Sequence, residues 1–263
     1  MKNSARYTFV SELVCLIFLF VFISPLVLMV HKAVDNGGIH NFMIVFHFFN
    51  LLRNFMTSIM VVGGTELLVG ISTSLAAFAF SKIHFKGKFY IYYVLLTGLM
   101  VPVSSLIFPL YQVVKFLHIS NTPLALIFPY SALNCCFNLL ILKNYYDTLP
   151  NEVLDAGRID GANTWGIFSH IMLPIAKPGL VFVLIQTFLS SWNELQMSMI
   201  FINDNEVQPI SVIPLRFMET RTPGFTSNIL YAALLICLLP IALFYIFASK
   251  RLVAGLTSGA VKG

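Results

Sequence analysis

The sequence predicts an all-α integral membrane protein, and its composition and hydropathy pattern are the observations that predict this fold class. Of the 263 residues, 58% are hydrophobic and only 10% are charged, whereas a soluble domain carries about 25% charged residues. The mean hydropathy is +0.85. The apolar stretches are long and unbroken, which favours spanning helices over the short alternating strands of a membrane barrel. The composition excludes a water-soluble globular protein.

Six segments are long and apolar enough to form transmembrane helices, each of which needs about 20 residues. They cover residues 11–31, 55–80, 89–113, 123–142, 178–202 and 227–249. The third, fourth and sixth segments contain no Asp, Glu, Lys or Arg. Glu66 lies in the interior of the second segment and Glu194 in the interior of the fifth. We therefore expect a fold of six transmembrane helices.

The distribution of Lys and Arg predicts that both chain ends face the cytoplasm. One set of segment ends carries eleven basic residues: Lys2, Arg6, Lys82, Lys86, Lys88, Lys143, Arg158, Lys177, Lys250, Arg251 and Lys262. The other set carries five: Lys32, Arg53, Lys115, Arg216 and Arg221. Because cytoplasmic connections are enriched in Lys and Arg, the first set is assigned to the cytoplasm. The same bias accounts for the net charge of +5, so we expect contact with membrane lipid and no nucleic-acid partner.

The first segment superficially resembles a signal peptide, because Lys2 and Arg6 precede its apolar run. That run is long enough to span, and no small-x-small cleavage site follows it, so we expect a retained helix. The chain is then divided into three parts. They are residues 1–54 (first helix and external loop), 55–249 (a core of five helices) and 250–263 (a cytoplasmic tail).

The longest cytoplasmic connection joins the fourth and fifth segments and begins with a predicted short helix. Pro150 suits the first turn of a helix, where its missing N–H costs nothing. Glu152 and Asp155 follow near the positive end of the helix dipole. Ala156 and Gly157 leave one patch of this helix nearly free of side chain. Another surface could therefore approach its backbone closely.

A turn and a second helix follow the first helix of this connection. Asp160-Gly161 is a turn signal, Trp165 lies on one face of the next helix, and Leu173-Pro174 ends that helix. An amphipathic connector packed under the transmembrane helices is the plain alternative to a docking element. The residues by themselves leave both interpretations open.

The connection also resembles the "EAA" coupling loop in permeases of binding-protein-dependent ABC importers. The family pattern is roughly E-A-A-x-x-D-G-A, followed at a fixed distance by I-x-L-P; residues 155–162 match the first part and residues 171–174 the second. Asp155 replaces the usual Glu, and Gly157 replaces the second Ala, which weakens a helix by about 1 kcal/mol. The resemblance implies a type I ABC importer permease fold with a coupling helix in the loop at residues 149–174.

This resemblance implies that separate ATPase subunits dock on the loop. The candidate ATPase-coupling residues are Glu152, Asp155, Ala156, Gly157, Asp160, Gly161, Leu173 and Pro174. Asp155 and Asp160 would supply the charge contacts, and Gly161 the turn. The chain contains no G-x-x-x-x-G-K-[ST] phosphate loop, so ATP and Mg²⁺ are expected on the partner subunits. No catalytic residue, bound cofactor or metal site is predicted in this chain.

The C-terminal tail narrows the resemblance to a subgroup. Residues 251–263 resemble the ending of one permease of maltose-type sugar importers, the subunit without a large extracytoplasmic insertion; residues 121–123 and 192–194 resemble the same subgroup. A sugar importer of the bacterial cell membrane is implied, with a sister permease in a heterodimer, two cytoplasmic ATPase subunits and an extracytoplasmic solute-binding protein. The tail would contact the ATPases through Gly255, Gly259 and Lys262, whereas a disordered chain end is the simpler alternative.

Polar residues inside the predicted spans are the candidates for a substrate pathway. They are Asn134, Asn138, Trp192, Asn193 and Glu194. A carboxylate at membrane depth is costly and faces protein or a wet cavity, and a sugar site needs hydrogen-bonding groups beside an aromatic face. For Glu194 the alternative is an interhelical polar contact that holds the helices together.

Small residues surround the second intramembrane carboxylate, Glu66. The neighbours are Gly63, Gly64, Thr65 and Gly70. Such residues let helices approach closely, so a packing role for this region is favoured over a pathway role.

Other function classes stay open beside the sugar importer. An ABC permease for an amino acid, a phosphate or a polyamine would share the loop but not the tail. An ion-coupled carrier or a channel would usually carry several intramembrane ionisable residues or inverted repeats with broken helices. A non-transporting membrane scaffold or enzyme is a third class, and no catalytic constellation supports an enzyme.

Overall fold

The computed structural model describes the backbone of residues 2–219 and 226–260 and the side chains of residues 11–218 and 226–246. All regular structure in these described residues is helical. The helices are α1 (Lys2–Val34), α2 (Ile39–Phe48), α3 (Leu51–Lys82), α4 (Lys88–Thr97), α5 (Val103–Phe116), α6 (Leu124–Thr148), α7 (Glu152–Ile159), α8 (Thr164–Gly166), α9 (Leu173–Ile175), α10 (Lys177–Trp192), α11 (Gln196–Phe201), α12 (Ile213–Glu219) and α13 (Ser227–Ala260). A π-helical stretch, Ile167–Met172, connects α8 to α9, so Thr164–Ile175 forms the second loop helix.

Four described helices are long and apolar enough to cross a membrane: Ser11–Val34, Leu51–Lys82, Leu124–Thr148 and Ser227–Ile246. Two bent helix pairs raise this number to as many as six if each pair forms one span. The all-helical membrane fold predicted from the sequence is therefore confirmed, whereas six as the number of spans stays a prediction.

The third predicted span, residues 89–113, is not one straight helix. Lys88–Met100 and Val103–Phe116 meet at an angle of 103°. Pro102 is the cause, because a proline disfavours the helical conformation of the residue before it. Val101 accordingly has extended backbone angles, with φ −84° and ψ 120°. The absence of charged residues predicted the apolar length correctly but not this break.

The fifth predicted span, residues 178–202, also differs from the structure. Helix α10 ends at Trp192, and α11 begins only at Gln196. At its other end, α10 meets the second loop helix at 75°. Pro178 occupies the first turn of α10, where a proline is tolerated but cannot continue the hydrogen-bond ladder of the preceding helix.

A packed core lies in one compact unit, which among the described residues covers 51–212 together with 241–260. Within this unit, α3 and α6 pack along each other, and α10 packs against both. A side-chain carbon added at Gly64 would lie 2.7 Å from Ile127 Cδ1, so α3 and α6 approach closely at this point. The close helix packing that the small residues around Glu66 predict is therefore present at Gly64.

A second compact unit consists of residues 1–50 and 213–240. The turn after α1 is fixed there by two asparagine side chains. The Asn41 amide donates to the Ala33 carbonyl at 2.9 Å, and the Asn228 amide donates to the Asp35 carbonyl at 2.8 Å. The start of α13 is thereby tied to the end of α1. The boundaries at residues 54 and 249 that the sequence predicts stay predictions.

The last helix is longer than the sixth predicted span, residues 227–249, because α13 continues to Ala260. Adding residues to an existing helix costs much less than nucleating one, so the small residues of the tail extend it. The backbones of Gly255 and Gly259 lie in this extension, and the contacts of both lie outside the described residues, as does Lys262. The predicted tail contacts therefore stay predictions.

Candidate functional site

The turn between the two loop helices closes through its own backbone. Gly161 has φ +80°, a left-handed conformation that favours glycine. The Ala162 N–H donates to the Gly157 carbonyl at 3.0 Å, and the Gly161 N–H donates to the Arg158 carbonyl at 3.1 Å. These two bonds satisfy carbonyls at the end of α7 in the manner of a Schellman motif. The Asp-Gly signal in the sequence therefore predicted the turn correctly.

The second loop helix begins at a side-chain cap. The Asn163 side-chain oxygen accepts a hydrogen bond from the Gly166 N–H at 2.8 Å. Such a cap satisfies one of the N–H groups that a helix leaves free at its start. The sequence predicts a helix here, and the cap is the local reason why it begins at Thr164.

Gly157 faces the second loop helix and is buried. A side-chain carbon added at Gly157 would lie 2.7 Å from Ile171 Cδ1 and 3.4 Å from Ile167 Cγ1. The sequence predicted that Ala156 and Gly157 together form a patch for another protein. In the structure only Ala156 is exposed, because the missing side chain of Gly157 lets α7 pack against its own neighbouring helix.

The loop is anchored to the helix core by buried apolar side chains and by one lysine. Leu154 and Met172 belong to the same buried cluster as Phe78 of α3 and Tyr146 of α6. The Lys82 ammonium, at the end of α3, donates to the Leu149 carbonyl at 2.7 Å and to the Asn151 side-chain oxygen at 2.9 Å. These contacts attach the loop to the ends of α3 and α6.

The opposite side of α7 is free within the described part of the chain. The predicted coupling residues Glu152, Asp155, Ala156, Asp160 and Gly161 are all exposed. Arg158 donates to the Asp155 carboxylate at 2.9 Å, an exposed contact between neighbouring turns that contributes at most about 0.5 kcal/mol. The structure thus brings five of the predicted residues to one accessible region.

Leu173 and Pro174 lie apart from this region. Leu173 is partly buried and packs against the core cluster, whereas Pro174 is exposed at the start of α9. Two residues that the sequence analysis did not select are more prominent at the surface. Ile159 is 86% exposed and Trp165 is 63% exposed. Each is a large apolar residue near the predicted Asp160-Gly161 turn, and this feature of the sequence could have indicated an exposed apolar surface.

Three hydrogen-bonded side-chain pairs join α6 to α10 and to the residues just after it, and we term these pairs the polar seam. They include the candidate pathway residues Asn134, Asn138 and Glu194. The Tyr130 hydroxyl donates to the Glu194 carboxylate at 2.5 Å, and the Ser190 hydroxyl donates to the Asn134 oxygen at 2.7 Å. The Asn138 amide donates to the Thr187 hydroxyl at 2.9 Å. The α6 residues of the seam are spaced by four, so they lie on one face.

Glu194 has a second role at the break after α10. Its carboxylate accepts hydrogen bonds from the Met197 N–H at 3.0 Å and from the Ser198 N–H at 3.2 Å. It therefore satisfies free N–H groups at the start of α11. Every oxygen of this carboxylate has a partner within the chain, which favours the interhelical-contact alternative over a pathway role.

Trp192 and Asn193 are also engaged within the chain. The Trp192 ring is buried and stacks on Phe188 with centroids 5.4 Å apart, and its edge meets Phe55 at 5.9 Å. The exposed Asn193 amide donates to the Leu189 carbonyl at 2.8 Å. A substrate contact by either residue stays a prediction.

Comparison with known protein families agrees with the geometry of the loop. A model of the family described as "Binding-protein-dependent transport system inner membrane component" matches residues 67–257. The chain belongs to this family. The family resemblance predicted from the loop motif is therefore confirmed, and the match includes the loop and the polar seam.

Two relatives and one solved structure illustrate the similarity of this permease to known proteins in sequence and in fold. The arabinooligosaccharides transport system permease AraQ of Halalkalibacterium halodurans is 33% identical over 192 residues, 73% of this chain and 67% of that protein. The trehalose/maltose permease MalG of Thermococcus litoralis is 32% identical over 217 residues, 82% and 77% of the two chains. A crystal structure of a bacterial ABC transporter that imports the acidic polysaccharide alginate gives a TM-score of 0.82 at 16% identity and covers 95% of this chain and 98% of that one. This structural likeness confirms the importer permease fold.

The partners that complete the polar seam of this permease were not predicted from its sequence. Tyr130, Thr187 and Ser190 were not selected, although each lies at helical spacing from a selected residue or pairs with one. The four-residue spacing of Tyr130, Asn134 and Asn138 was the available signal. Which residues of α10 they meet depends on the packing of two helices that are far apart along the chain.

Proposed function

We propose that this chain is a permease subunit of an ATP-driven importer and forms half of the translocation pathway for a sugar or an oligosaccharide. The proposal includes that the chain forms six transmembrane helices and has both of its ends in the cytoplasm. The bias of eleven basic residues against five supports this orientation. It would place the loop at residues 149–174 on the cytoplasmic face, where separate ATPase subunits bind ATP and Mg²⁺.

The observation that carries this proposal is the division of α7 into an anchored side and a free side. Leu154 and Gly157 face the chain's own core, whereas Glu152, Asp155 and Ala156 face outward. A short helix that is fixed on one side and exposed on the other can bind a second protein without unfolding. Ile159 adds a large apolar side chain beside those carboxylates, and apolar anchors commonly supply most of the affinity at an interface.

The anchoring contacts provide a route for mechanical coupling. A shift of α7 would act on the end of α3 through Lys82 and on the start of the loop through Leu149. The polar seam would then carry α6 and α10 along as a pair, since three hydrogen bonds join them. Rigid-body rocking of helix groups is a known way to alternate access between the two sides of a membrane.

The names of the relatives and the resemblance of the C-terminal tail both support a carbohydrate as the transported solute. The permeases of Halalkalibacterium halodurans and Thermococcus litoralis are named for arabinooligosaccharides and for trehalose/maltose. The resemblance of residues 251–263 to maltose-type permeases points the same way. The working assembly would contain this chain, a sister permease, two ATPase subunits and an extracytoplasmic binding protein.

Ile159→Glu tests the docking function with little risk to folding, because the side chain is 86% exposed. We expect the variant to reach the membrane at normal levels but to recover about tenfold less ATPase subunit on purification, as expected for loss of an interface anchor. Phe116→Glu is the matched control, since Phe116 is 82% exposed at the end of α5. Equal ATPase recovery by both variants would contradict the proposed docking surface.

Uptake of a radiolabelled panel tests the cargo. Vesicles that contain the purified importer and its binding protein would be offered oligosaccharides, an amino acid, phosphate and a polyamine. ATP-dependent accumulation of an oligosaccharide is expected. Accumulation of only a non-carbohydrate solute would keep the importer but overturn the sugar assignment.

A further inference from the structure

A pocket lies between the end of α3, the start of α4 and the end of α6. Its volume is about 430 Å³. The lining contains Lys88, Lys143 and six aromatic side chains, and none of these described residues carries a carboxylate. All of the lining belongs to the compact unit that contains residues 51–212. The pocket is therefore both basic and aromatic.

The Lys88 ammonium is held in place by the end of α3. It donates to the Ser81 carbonyl at 3.2 Å and to the Ile83 carbonyl at 3.0 Å. Both acceptors are uncharged, so Lys88 keeps its full positive charge. An ammonium group has three N–H donors, and the third is available to a ligand.

Lys143 adds a second, half-buried ammonium group to the pocket. It donates to the Asp147 carboxylate at 2.6 Å, but Asp147 is not part of the lining. Lys86 lies exposed in the turn between α3 and α4. Three lysines, Lys86, Lys88 and Lys143, are thus accompanied by a single contacting carboxylate. The surroundings of the pocket attract an anion.

The aromatic side chains form an apolar wall that also carries hydroxyl groups. The Phe80 ring packs against the rings of Phe85 and Tyr92, with centroids 5.7 Å and 5.5 Å apart. The Lys143 ammonium lies 5.3 Å from the centre of the Tyr92 ring, a distance that allows a cation–π contact. Tyr92 and Tyr93 each bring a hydroxyl donor to the lining.

An exposed apolar surface continues from the pocket along α4. No residue of α4 is buried in the described chain. Leu95 and Leu99 follow Tyr92 by three and seven positions, which places them on the same side of the helix. They are 39% and 42% exposed. A ligand with one charged end and a long apolar part could therefore contact the lysines and this surface together.

This combination fits an anionic phospholipid better than a sugar or a second protein. The phosphate would meet two ammonium groups, and the acyl chains would cover the leucines. A sugar would leave both positive charges unmatched, and an ATPase subunit in water would leave the apolar side of α4 uncovered. Basic pockets between transmembrane helices are a common site for acidic head groups at the cytoplasmic face.

We propose that the pocket at Lys88 and Lys143 binds the phosphate of an anionic phospholipid, whose acyl chains lie along α4. The choice of the cytoplasmic leaflet rests on the proposed function, which places this end of α3 in the cytoplasm. The binding site itself does not depend on transport.

Native mass spectrometry of the full chain in detergent tests the class of ligand. The protein is titrated in parallel with dioleoylphosphatidylglycerol, dioleoylphosphatidylcholine and sn-glycerol 3-phosphate. We expect phosphatidylglycerol to bind at least about fivefold more tightly than phosphatidylcholine, the effect of one lysine charge near an anionic lipid surface. Equal binding of the two lipids overturns the proposal. Binding of sn-glycerol 3-phosphate as tight as that of phosphatidylglycerol overturns it as well, because the ligand would then be a soluble anion.

Substitution of the two lysines tests the site. Lys88→Gln and Lys143→Gln are each expected to weaken phosphatidylglycerol binding about fivefold, and the double variant about 25-fold. Loss of the Asp147 ion pair carries little risk to folding, since an exposed pair contributes little stability. Lys88→Arg with Lys143→Arg retains both charges and should retain the lipid.

Lys115→Gln is the matched control for these variants. Lys115 lies 5.0 Å from the centre of the Tyr111 ring, so it is a second lysine over a tyrosine, outside the pocket. Its replacement should leave phosphatidylglycerol binding unchanged. If the double glutamine variant also binds the lipid as tightly as the wild type, the assigned site is wrong.

The lipid site and the proposed function fail in different ways. The titration needs neither ATPase nor sugar, so loss of the lipid preference leaves the importer assignment intact. If the double glutamine variant keeps phosphatidylglycerol but loses the ATPase subunit on purification, the pocket belongs to a protein interface and the lipid proposal is overturned.

Discussion

The Ser190 hydroxyl donates a hydrogen bond to the Asn134 side-chain oxygen at 2.7 Å, and this contact joins α10 to α6 in the middle of the polar seam. Tyr130 and Glu194 form the pair on one side of it, and Asn138 and Thr187 the pair on the other. The loop at residues 149–174 connects the same two helices. The part of the chain proposed to receive the ATPase therefore joins two helices that are also held together along their length.

A double-mutant cycle measures the central pair of the seam. Asn134→Leu, Ser190→Ala and the double variant are expected to show a coupling free energy of about 0.6 kcal/mol and at most about 1.7 kcal/mol. The free energy of unfolding in mixed micelles is the measurement. The control cycle combines Ser190→Ala with Ser24→Ala, in α1. The effects of these two substitutions on the free energy of unfolding should be additive. Additivity of the Asn134 and Ser190 variants would contradict the seam.

Glu194→Ala should reduce stability more than Glu194→Gln. The alanine removes the acceptor for the Met197 and Ser198 N–H groups and for the buried Tyr130 hydroxyl, and loss of a helix cap costs about 1 kcal/mol. The glutamine retains one acceptor oxygen. Thermal unfolding in detergent would separate the two variants. A variant of unchanged stability with an altered KM for sugar uptake would instead assign Glu194 to the pathway.

Gly161 should tolerate asparagine better than alanine. Its φ of +80° costs an ordinary L-residue about 1–2 kcal/mol, and Asn visits this conformation more readily than Ala. Gly161→Pro is expected to stay in the membrane but to abolish coupled uptake, because proline fixes φ near −65° and lacks the N–H that bonds to Arg158. ATP hydrolysis and uptake are measured on the same vesicles. Normal uptake by Gly161→Pro would show that the turn is not needed for coupling.

Gly157→Leu should loosen the contact between the two loop helices. Its side chain would enter the space of Ile171, since even a single added carbon comes within 2.7 Å of Ile171 Cδ1, and overpacking of this kind costs about 1–3 kcal/mol. Ile171→Ala in the same chain should recover part of the loss. Limited proteolysis of the loop reports the effect. Failure of Ile171→Ala to protect the Gly157→Leu loop would mean that these residues do not meet.

Several features could be predicted from local sequence because their causes are local. The apolar length of each segment, the Asp160-Gly161 turn and the coupling-loop motif depend on residues that are close together along the chain. The breaks beside Pro102 and after Trp192 were missed, although Pro102 was visible. A proline indicates where a helix is disfavoured. Whether the chain continues straight or turns by 103° at that point depends on the helices that pack around the break.

The sequence by itself determined that this protein is a helical membrane protein, because composition and hydropathy carry that information directly, and the contiguous motif in the loop at residues 149–174 carried the resemblance to importer permeases. Only the tertiary structure decided what individual polar residues do. Asn134 and Glu194 are engaged in the polar seam, and Gly157 is buried inside the loop. The physical reason is that a hydrogen bond or a close approach joins residues up to 193 positions apart, and helix packing alone fixes which side chains meet.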